Sequence, residues 1–200
     1  MSWKSVIAPI VAIAALAAAT VPSLAAGADT LANARDATAV FNAPTAALAG
    51  GYTLLTDAAG IACIDMPGQG AMGVHYVNGT LVQSGTLDPA RPQALVYEVQ
   101  ENGDVHLVAL EYVVLQSTWD ASHSSAPKMF GQTFMLNPSD NRFGLPAFYS
   151  LHAWIGKHNP AGTFAPFNPD VHCRDQVAGA GAEMDDMSMG PIIAPAATDQ

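Results

Sequence analysis

The chain has 200 residues, half of them hydrophobic, and its 17 acidic side chains outnumber seven Lys and Arg to give a net charge of −10 at pH 7. A chain this acidic has too few positively charged side chains to neutralise the phosphates of a nucleic acid or to bind an anionic membrane. We therefore expect neither partner. The length suits a single domain that buries a sizeable core.

The N-terminus has the pattern of a secretory signal peptide. Lys4 is the only charged residue before Asp29, an apolar run follows at 6–19, and small residues of the A-x-A type precede Ala26. The alternative is an uncleaved membrane anchor, but the run is shorter than the roughly 20 residues that a membrane span needs.

We therefore expect a signal peptide over 1–25 and a single secreted or periplasmic domain over 26–174, with no stable membrane insertion after cleavage. The remainder, 175–200, is rich in Ala, Asp and Met. It has no candidate core, which predicts a disordered tail.

Two cysteines, Cys63 and Cys173, lie near the two ends of the expected domain. In an exported chain they predict one disulfide that closes nearly the whole domain. The alternatives, a metal thiolate or a nucleophile, are less consistent with an oxidising compartment.

The first part of the domain is rich in helix formers. A helix is predicted over 30–41, with Asp29 as the N-cap candidate and Pro44 beyond its end. A second short helix is predicted over 44–55, although Gly50 and Gly51 weaken it.

Two hairpins are predicted next. The first joins 74–77 to 80–82 through Asn78-Gly79, and the second joins 94–100 to 104–115 through a turn at Asn102-Gly103. The strands of the second hairpin are almost continuously apolar, so we expect them to be central and covered on both faces.

The later part of the domain is less regular. A strand is predicted over 130–135, and the apolar, aromatic stretch 147–156 fits helix and strand equally well. Prolines then enforce an extended path to Cys173.

Familiar catalytic motifs are absent or out of context. The G-x-G-x-x-G match at 68–73 precedes a predicted strand, whereas a dinucleotide site needs it to open a helix, so no nucleotide cofactor is expected. The S-x-x-K match at 125–128 contains Pro127 and lacks its partner motifs. The sequence leaves open whether the protein is an enzyme.

Polar residues inside the apolar strands are the strongest functional signal. His75, Glu98 and Glu111 interrupt runs that are otherwise apolar, and a buried carboxylate needs a partner, hydrogen bonds or a metal. A two-residue turn would pair 98 with 107 and place both glutamates on one face, about 13 Å apart, too far for one metal site.

Glu111 is the better candidate ligand because it lies deep in the longest apolar strand. With His75 and His152 it would form a two-His, one-carboxylate set for one divalent transition metal, such as copper, zinc, iron or manganese. The alternative is that each of the three is a core polar residue with a local hydrogen bond.

The stretch 143–173 concentrates aromatic rings, histidine and proline, a composition typical of a shaped pocket wall. Tyr76, Tyr149 and Trp154 are the candidate pocket residues. Two functions follow: a metal-dependent exported protein that acts on a small molecule, or a non-catalytic module that binds a ligand or an envelope component through 143–173.

Several segments resemble a family of small secreted bacterial proteins of uncharacterised function. They are GAMGVHYVNGTL (70–81), ALVYE (94–98), LEYVV (110–114) and FGLPAFYSLHAWIGKHNPAGTFAPFNPDVHC (143–173). The resemblance runs from about Thr38 to Cys173 and implies an exported bacterial domain, without supplying catalytic residues. Gly156 and Phe167 stand where that family has tryptophan.

Together these patterns predict an α+β fold. Short N-terminal helices would pack on a mainly antiparallel β-sheet or small barrel with one disulfide.

Overall fold

A computed structural model describes residues 30–173 of the chain. The predicted signal peptide and the predicted tail lie outside the described residues. Between them the chain forms the predicted α+β fold, with short helices packed on a mainly antiparallel sheet. Within residues 30–173 no helix has the length and apolar character needed to cross a membrane.

The N-terminal segment forms helix α1 (Leu31–Thr38), a 3-10 turn (Ala39–Asn42) and helix α2 (Pro44–Ala49). Thr30 caps α1 by accepting a hydrogen bond from the Asn33 backbone. The sequence predicts this role for Asp29, which lies outside the described residues. The predicted second helix is too long, because α2 ends at Ala49 and the chain continues as a strand.

Seven strands form the main sheet in the order β1-β3-β4-β5-β9-β8, and β2 pairs with β3 along the same edge as β1. All of these pairs are antiparallel. The seven strands are β1 (Thr53–Leu54), β2 (Cys63–Met66), β3 (Gly70–Val77), β4 (Ala94–Val99), β5 (Val105–Leu115), β8 (Met135–Asn137) and β9 (Phe148–Trp154).

The predicted first hairpin is wrong. β3 ends at Val77, and helix α3 (Gly79–Ser84) follows instead of a returning strand. The Asn78 side chain caps this helix by accepting a hydrogen bond from the Leu81 backbone, and Gly85 ends it with a φ of 67°. Asn-Gly favours a tight hairpin turn, but an Asn N-cap competes for the same residue type.

The second hairpin is confirmed as β4 and β5, but its register differs from the prediction. Glu98 pairs with His106 rather than with 107, because the loop has three residues and ends at Gly103 with a φ of 85°. Val108 has no partner on β4, since Val96 pairs with Ala109 and Tyr97 with Leu107. This β-bulge increases the local twist of the sheet.

Beyond β5 lie helix α4 (Gln116–Asp120) and a separate two-stranded hairpin, β6 (Lys128–Met129) and β7 (Gln132–Thr133). The predicted strand over 130–135 is therefore wrong. Phe130 and Gly131 form the turn of this hairpin with φ values of 53° and 75°. The ambiguous stretch 147–156 is mainly β9, which is buried along its whole length.

The two faces of the sheet are covered differently. On one face, which we call the helical face, Tyr97 and Leu110 share a core cluster with Ala34 of α1 and Ala47 of α2. The Tyr97 hydroxyl also donates a hydrogen bond to the Phe41 carbonyl. The helices therefore pack against this face.

Residues 163–171, which we call the strap, cross the opposite face from β9 to β3. The strap accepts hydrogen bonds from the Trp154 backbone and indole, and then forms a bridge between Asn168 and Ala71. Trp154 and Val171 belong to a second buried cluster with Val96. We call this surface the strap face.

The predicted disulfide between Cys63 and Cys173 is present and joins residues 110 positions apart. It ties the end of the domain to β2, beside β3. A second long-range link joins the edges of the sheet: Arg142, in the loop between β8 and β9, donates two hydrogen bonds to Asp57, in the loop after β1.

Candidate metal centre

His75, Glu111 and His152 lie on the strap face and come from three different strands. Glu111 of β5 is the direct partner of His152 of β9. His75 of β3 aligns with Val96 and, through it, with Ala109, two residues before Glu111. Because side chains alternate along a strand, all three point to the same face.

The sheet must curve for these side chains to meet. β3 and β9 are three strands apart in the sheet, a separation of about 14 Å if the sheet were flat. Nevertheless, the Nε2 atoms of His75 and His152 lie 3.4 Å apart. The strap face is therefore concave here, and the fully buried neighbour of Glu111 on β4 is a small residue, Ala94.

The potential ligand atoms form a compact group. Nε2 of His75 lies 3.5 Å from one oxygen of Glu111, and Nδ1 of His152 lies 3.6 Å from the other. One ligand atom from each residue can be chosen so that all lie within 4.8 Å of one another. Ligands on a tetrahedral zinc ion, at about 2.0–2.1 Å from the metal, lie about 3.4 Å apart, so this spacing suits a shared ion.

All three side chains are buried. His75 and His152 are 2% and 3% exposed, while Glu111 is 9% exposed and is the most accessible of the three. Burial disfavours the charged forms. It lowers the pKa of each histidine to about 4 and raises the pKa of Glu111 above its usual range.

At neutral pH the two imidazoles are therefore uncharged, the form that binds metal. The raised pKa of Glu111 means that its anionic form gains from a nearby positive charge. The Glu111 carboxylate raises the pKa of His75, but less than burial lowers it. A divalent ion at this position would compensate the buried carboxylate more fully than a neutral imidazole does.

The second ring nitrogen of His75, Nδ1, is buried and has no hydrogen-bond partner of standard geometry among the described residues. The Gly73 backbone raises the pKa of the ring, against the larger effect of burial. A histidine that binds metal through Nε2 commonly directs its other nitrogen to a backbone carbonyl. The Nε2 atom of His75 is the one that faces His152 and Glu111.

A metal-free arrangement is also chemically consistent. The two imidazole rings meet edge-on, with centroids 5.7 Å apart and planes at 89°. In the appropriate tautomers, one Nε2–H donates to the other Nε2. The alternative that the three residues are polar members of the core would thus correspond to a hydrogen-bonded histidine pair beside a buried glutamate.

Glu98, the other buried strand glutamate, has a different environment. Its carboxylate accepts hydrogen bonds from Lys157 at 2.7 and 2.9 Å and from Gln100 at 2.8 Å. It is a paired structural carboxylate, separate from the group formed by Glu111. Within residues 30–173, His75, Glu111 and His152 are the only such group of three potential metal ligands.

The structure does not bring the three predicted pocket residues together. Tyr76 packs against Tyr97 on the helical face, and Tyr149 donates a hydrogen bond to Asp120. By strand alternation, both point away from the strap face. Trp154 shares the strap face with His152 but packs beneath the strap, and its indole donates to the Ala165 carbonyl.

Two residues near the candidate centre, Ser150 and Asn137, were not predicted from the sequence. Ser150 precedes His152 by two positions on β9, and Asn137 of β8 donates a hydrogen bond to its hydroxyl. The period of two along a strand is the signal that places Ser150 beside His152. This signal becomes useful only once 148–154 is known to be a strand.

A scan against protein-family models, a search of curated proteins and a search of solved structures each found no match. The function is therefore inferred from the residues of the candidate centre and their geometry.

Proposed function

We propose that this protein binds one divalent transition metal ion through His75, Glu111 and His152. The observation that carries the proposal is the convergence of three buried ligand-type side chains, from three strands, to within 4.8 Å. Two imidazoles and one carboxylate suit copper, zinc, iron or manganese. Neutral histidines add to the fit, because no proton must leave them when the ion binds.

Three protein ligands leave at least one coordination position for water or a small molecule. Such an ion, held by His75, Glu111 and His152, would supply a Lewis acid that polarises an oxygen of a ligand or lowers the pKa of a water molecule. The contribution of this chain is a concave, nearly closed surface, with Glu111 as its most exposed ligand.

The binding-module alternative has weaker support. It requires the aromatic rings of 143–173 to be available as a recognition surface. Trp154 is 4% exposed and Phe167 is 9% exposed, and Phe164 stacks on Phe130. These rings hold the strap and the neighbouring hairpin in place, so we favour the metal-dependent function.

We also propose that the protein is exported by a bacterial host. The disulfide joining Cys63 and Cys173 fits an oxidising compartment. The predicted signal peptide and the resemblance to secreted bacterial proteins are consistent with this location. N-terminal sequencing of the protein recovered from a bacterial periplasm should begin near Ala26, whereas recovery of intact chain starting at Met1 would contradict export with cleavage.

A metal titration tests the proposed site directly. The full chain, stripped with a chelator, should bind cobalt(II) or zinc(II) at one equivalent, with an absorption spectrum for cobalt of low coordination number. His152→Ala should abolish this binding. His106→Ala is the matched control, because His106 is an exposed strand histidine outside the group. Equal binding by both variants would overturn the assignment.

A further inference from the structure

This inference rests on the proposed metal site. It concerns the residues that orient the carboxylate of Glu111. Ser150 is 4% exposed and pairs with Val113, two residues beyond Glu111 on β5. It therefore lies on the strap face, diagonally across from Glu111. Diagonal cross-strand neighbours lie within reach of a long side chain.

Asn137 fixes the role of the Ser150 hydroxyl. The Asn137 side-chain amide donates to the Ser150 oxygen at 3.1 Å. A hydroxyl that accepts one hydrogen bond still has a single proton to donate. The Ser150 proton is thus left for the Glu111 carboxylate, its diagonal neighbour on the same face of the adjacent strand.

We propose that Asn137 and Ser150 form a hydrogen-bonded relay that positions the Glu111 carboxylate for metal binding. The relay runs across three neighbouring strands, from β8 through β9 to β5. Ser150 is a positioning residue, since it acts on the ion through Glu111. Hydrogen bonds to a ligating carboxylate fix its orientation before the ion arrives.

The relay matters because a glutamate side chain is flexible. Free rotation would allow the carboxylate to turn away from the imidazoles, and ordering it on binding would weaken affinity. Ser150 and Asn137 are themselves held by β9 and β8, whose backbones are hydrogen-bonded to each other. A preorganised carboxylate should bind the ion more tightly and with one preferred geometry.

Cobalt(II) titration of the full chain and its variants tests this inference through both affinity and the visible spectrum. Ser150→Ala should weaken cobalt binding by about 10–100-fold and change the d–d bands, as expected when a ligand loses its support. Ser150→Thr retains the hydroxyl and should restore both. Asn137→Ala should shift both in the same direction as Ser150→Ala.

Gln100→Ala is the matched control, because it removes a 2.8 Å hydrogen bond to the other buried glutamate, Glu98. It should leave the affinity and the spectrum unchanged. The thermal unfolding midpoint of each metal-free variant shows whether that variant is folded before cobalt is added. A purely structural role for Ser150 would lower this midpoint without changing the cobalt spectrum.

The outcomes separate this inference from the proposed function. Wild-type cobalt binding with an unchanged affinity and spectrum in Ser150→Ala would overturn the relay and leave the metal site standing. Equal losses in Ser150→Ala and Gln100→Ala would also overturn it. No cobalt binding by the folded wild-type chain would overturn both proposals.

Discussion

Glu98 and Glu111 are two buried carboxylates of one hairpin, but they meet different partners. Glu98 is neutralised by Lys157, whereas Glu111 faces two neutral histidines. Burial without a formal positive partner raises the pKa of Glu111. At the scale of single residues, this difference separates a structural carboxylate from a candidate ligand.

The pair of glutamates provides a controlled test. Glu111→Gln should weaken metal binding by more than the roughly 100-fold that loss of a supporting hydrogen bond produces, because a ligand itself is lost. Glu98→Gln should retain the metal but destabilise the fold, since Lys157 loses its charged partner. Calorimetric metal titration and thermal unfolding measure the two effects, and retained binding in Glu111→Gln would exclude it as a ligand.

The stability of the metal-free protein should depend on pH through His75 and His152. Burial lowers the pKa of both to about 4, so below pH 6.5 the unfolded chain takes up protons that the folded chain does not. The free energy of unfolding should therefore fall as pH drops from about 6.5 to 4, by up to about 1.4 kcal/mol per pH unit for each histidine.

Glu111 acts in the opposite direction over part of this range. Its pKa is raised in the folded state, so it stabilises at low pH and loses that contribution as pH rises above its unfolded value. Two histidines outweigh one carboxylate, and the net change on acidification remains a loss. Chemical denaturation at several pH values measures whether the free energy of unfolding falls on acidification. A His75→Ala/His152→Ala double variant should not show this decrease.

At the scale of elements, the local patterns predicted strands better than their connections. β4 and β5 were predicted because their apolar, β-branched runs flank an Asn-Gly turn. The same dipeptide at Asn78-Gly79 instead starts α3, and Gly85 at its end was the signal against a hairpin. One dipeptide cannot distinguish the two outcomes without the residues that follow it.

The candidate ligands were predicted because they are polar residues in apolar runs. The sequence did not predict that their side chains come close together in the fold. It requires β9 to pair with β5 and the sheet to curve across four strands. Neither pairing order nor curvature has a local sequence signature. The positions of the two predicted pocket tyrosines, away from the three candidate ligands, have a related cause, because the sequence of 147–156 does not show to which face of a strand Tyr149 points.

Gly156 allows a close approach of two chain segments just after β9. A Cβ atom there would lie 2.1 Å from the Leu107 carbonyl oxygen, so no side chain fits without movement of the backbone. Gly156→Ala should reduce the stability by about 1–3 kcal/mol. Gly79→Ala is the control, because a Cβ atom there meets no atom within 4 Å, and equal thermal midpoints would contradict the close approach.

At the scale of the whole molecule, the disulfide closes the domain. It joins Cys63 to Cys173 across 110 positions, and a loop of this length gives about 4–5 kcal/mol of stabilisation in the chain-entropy model. A Cys63→Ser/Cys173→Ser variant should therefore unfold at a markedly lower denaturant concentration. An unchanged midpoint would show that the strap and the sheet hold the C-terminal segment without the bridge.

The fold brings two neutral imidazoles and a carboxylate from three strands together on the concave strap face. The most direct test is elemental analysis of the full chain purified without added metal, alongside Glu111→Gln and Glu98→Gln. We expect close to one equivalent of a transition metal in the wild type and in Glu98→Gln, and none in Glu111→Gln. A folded wild type that contains no metal and takes up none on incubation would contradict it, and would leave the buried histidine pair as part of the core.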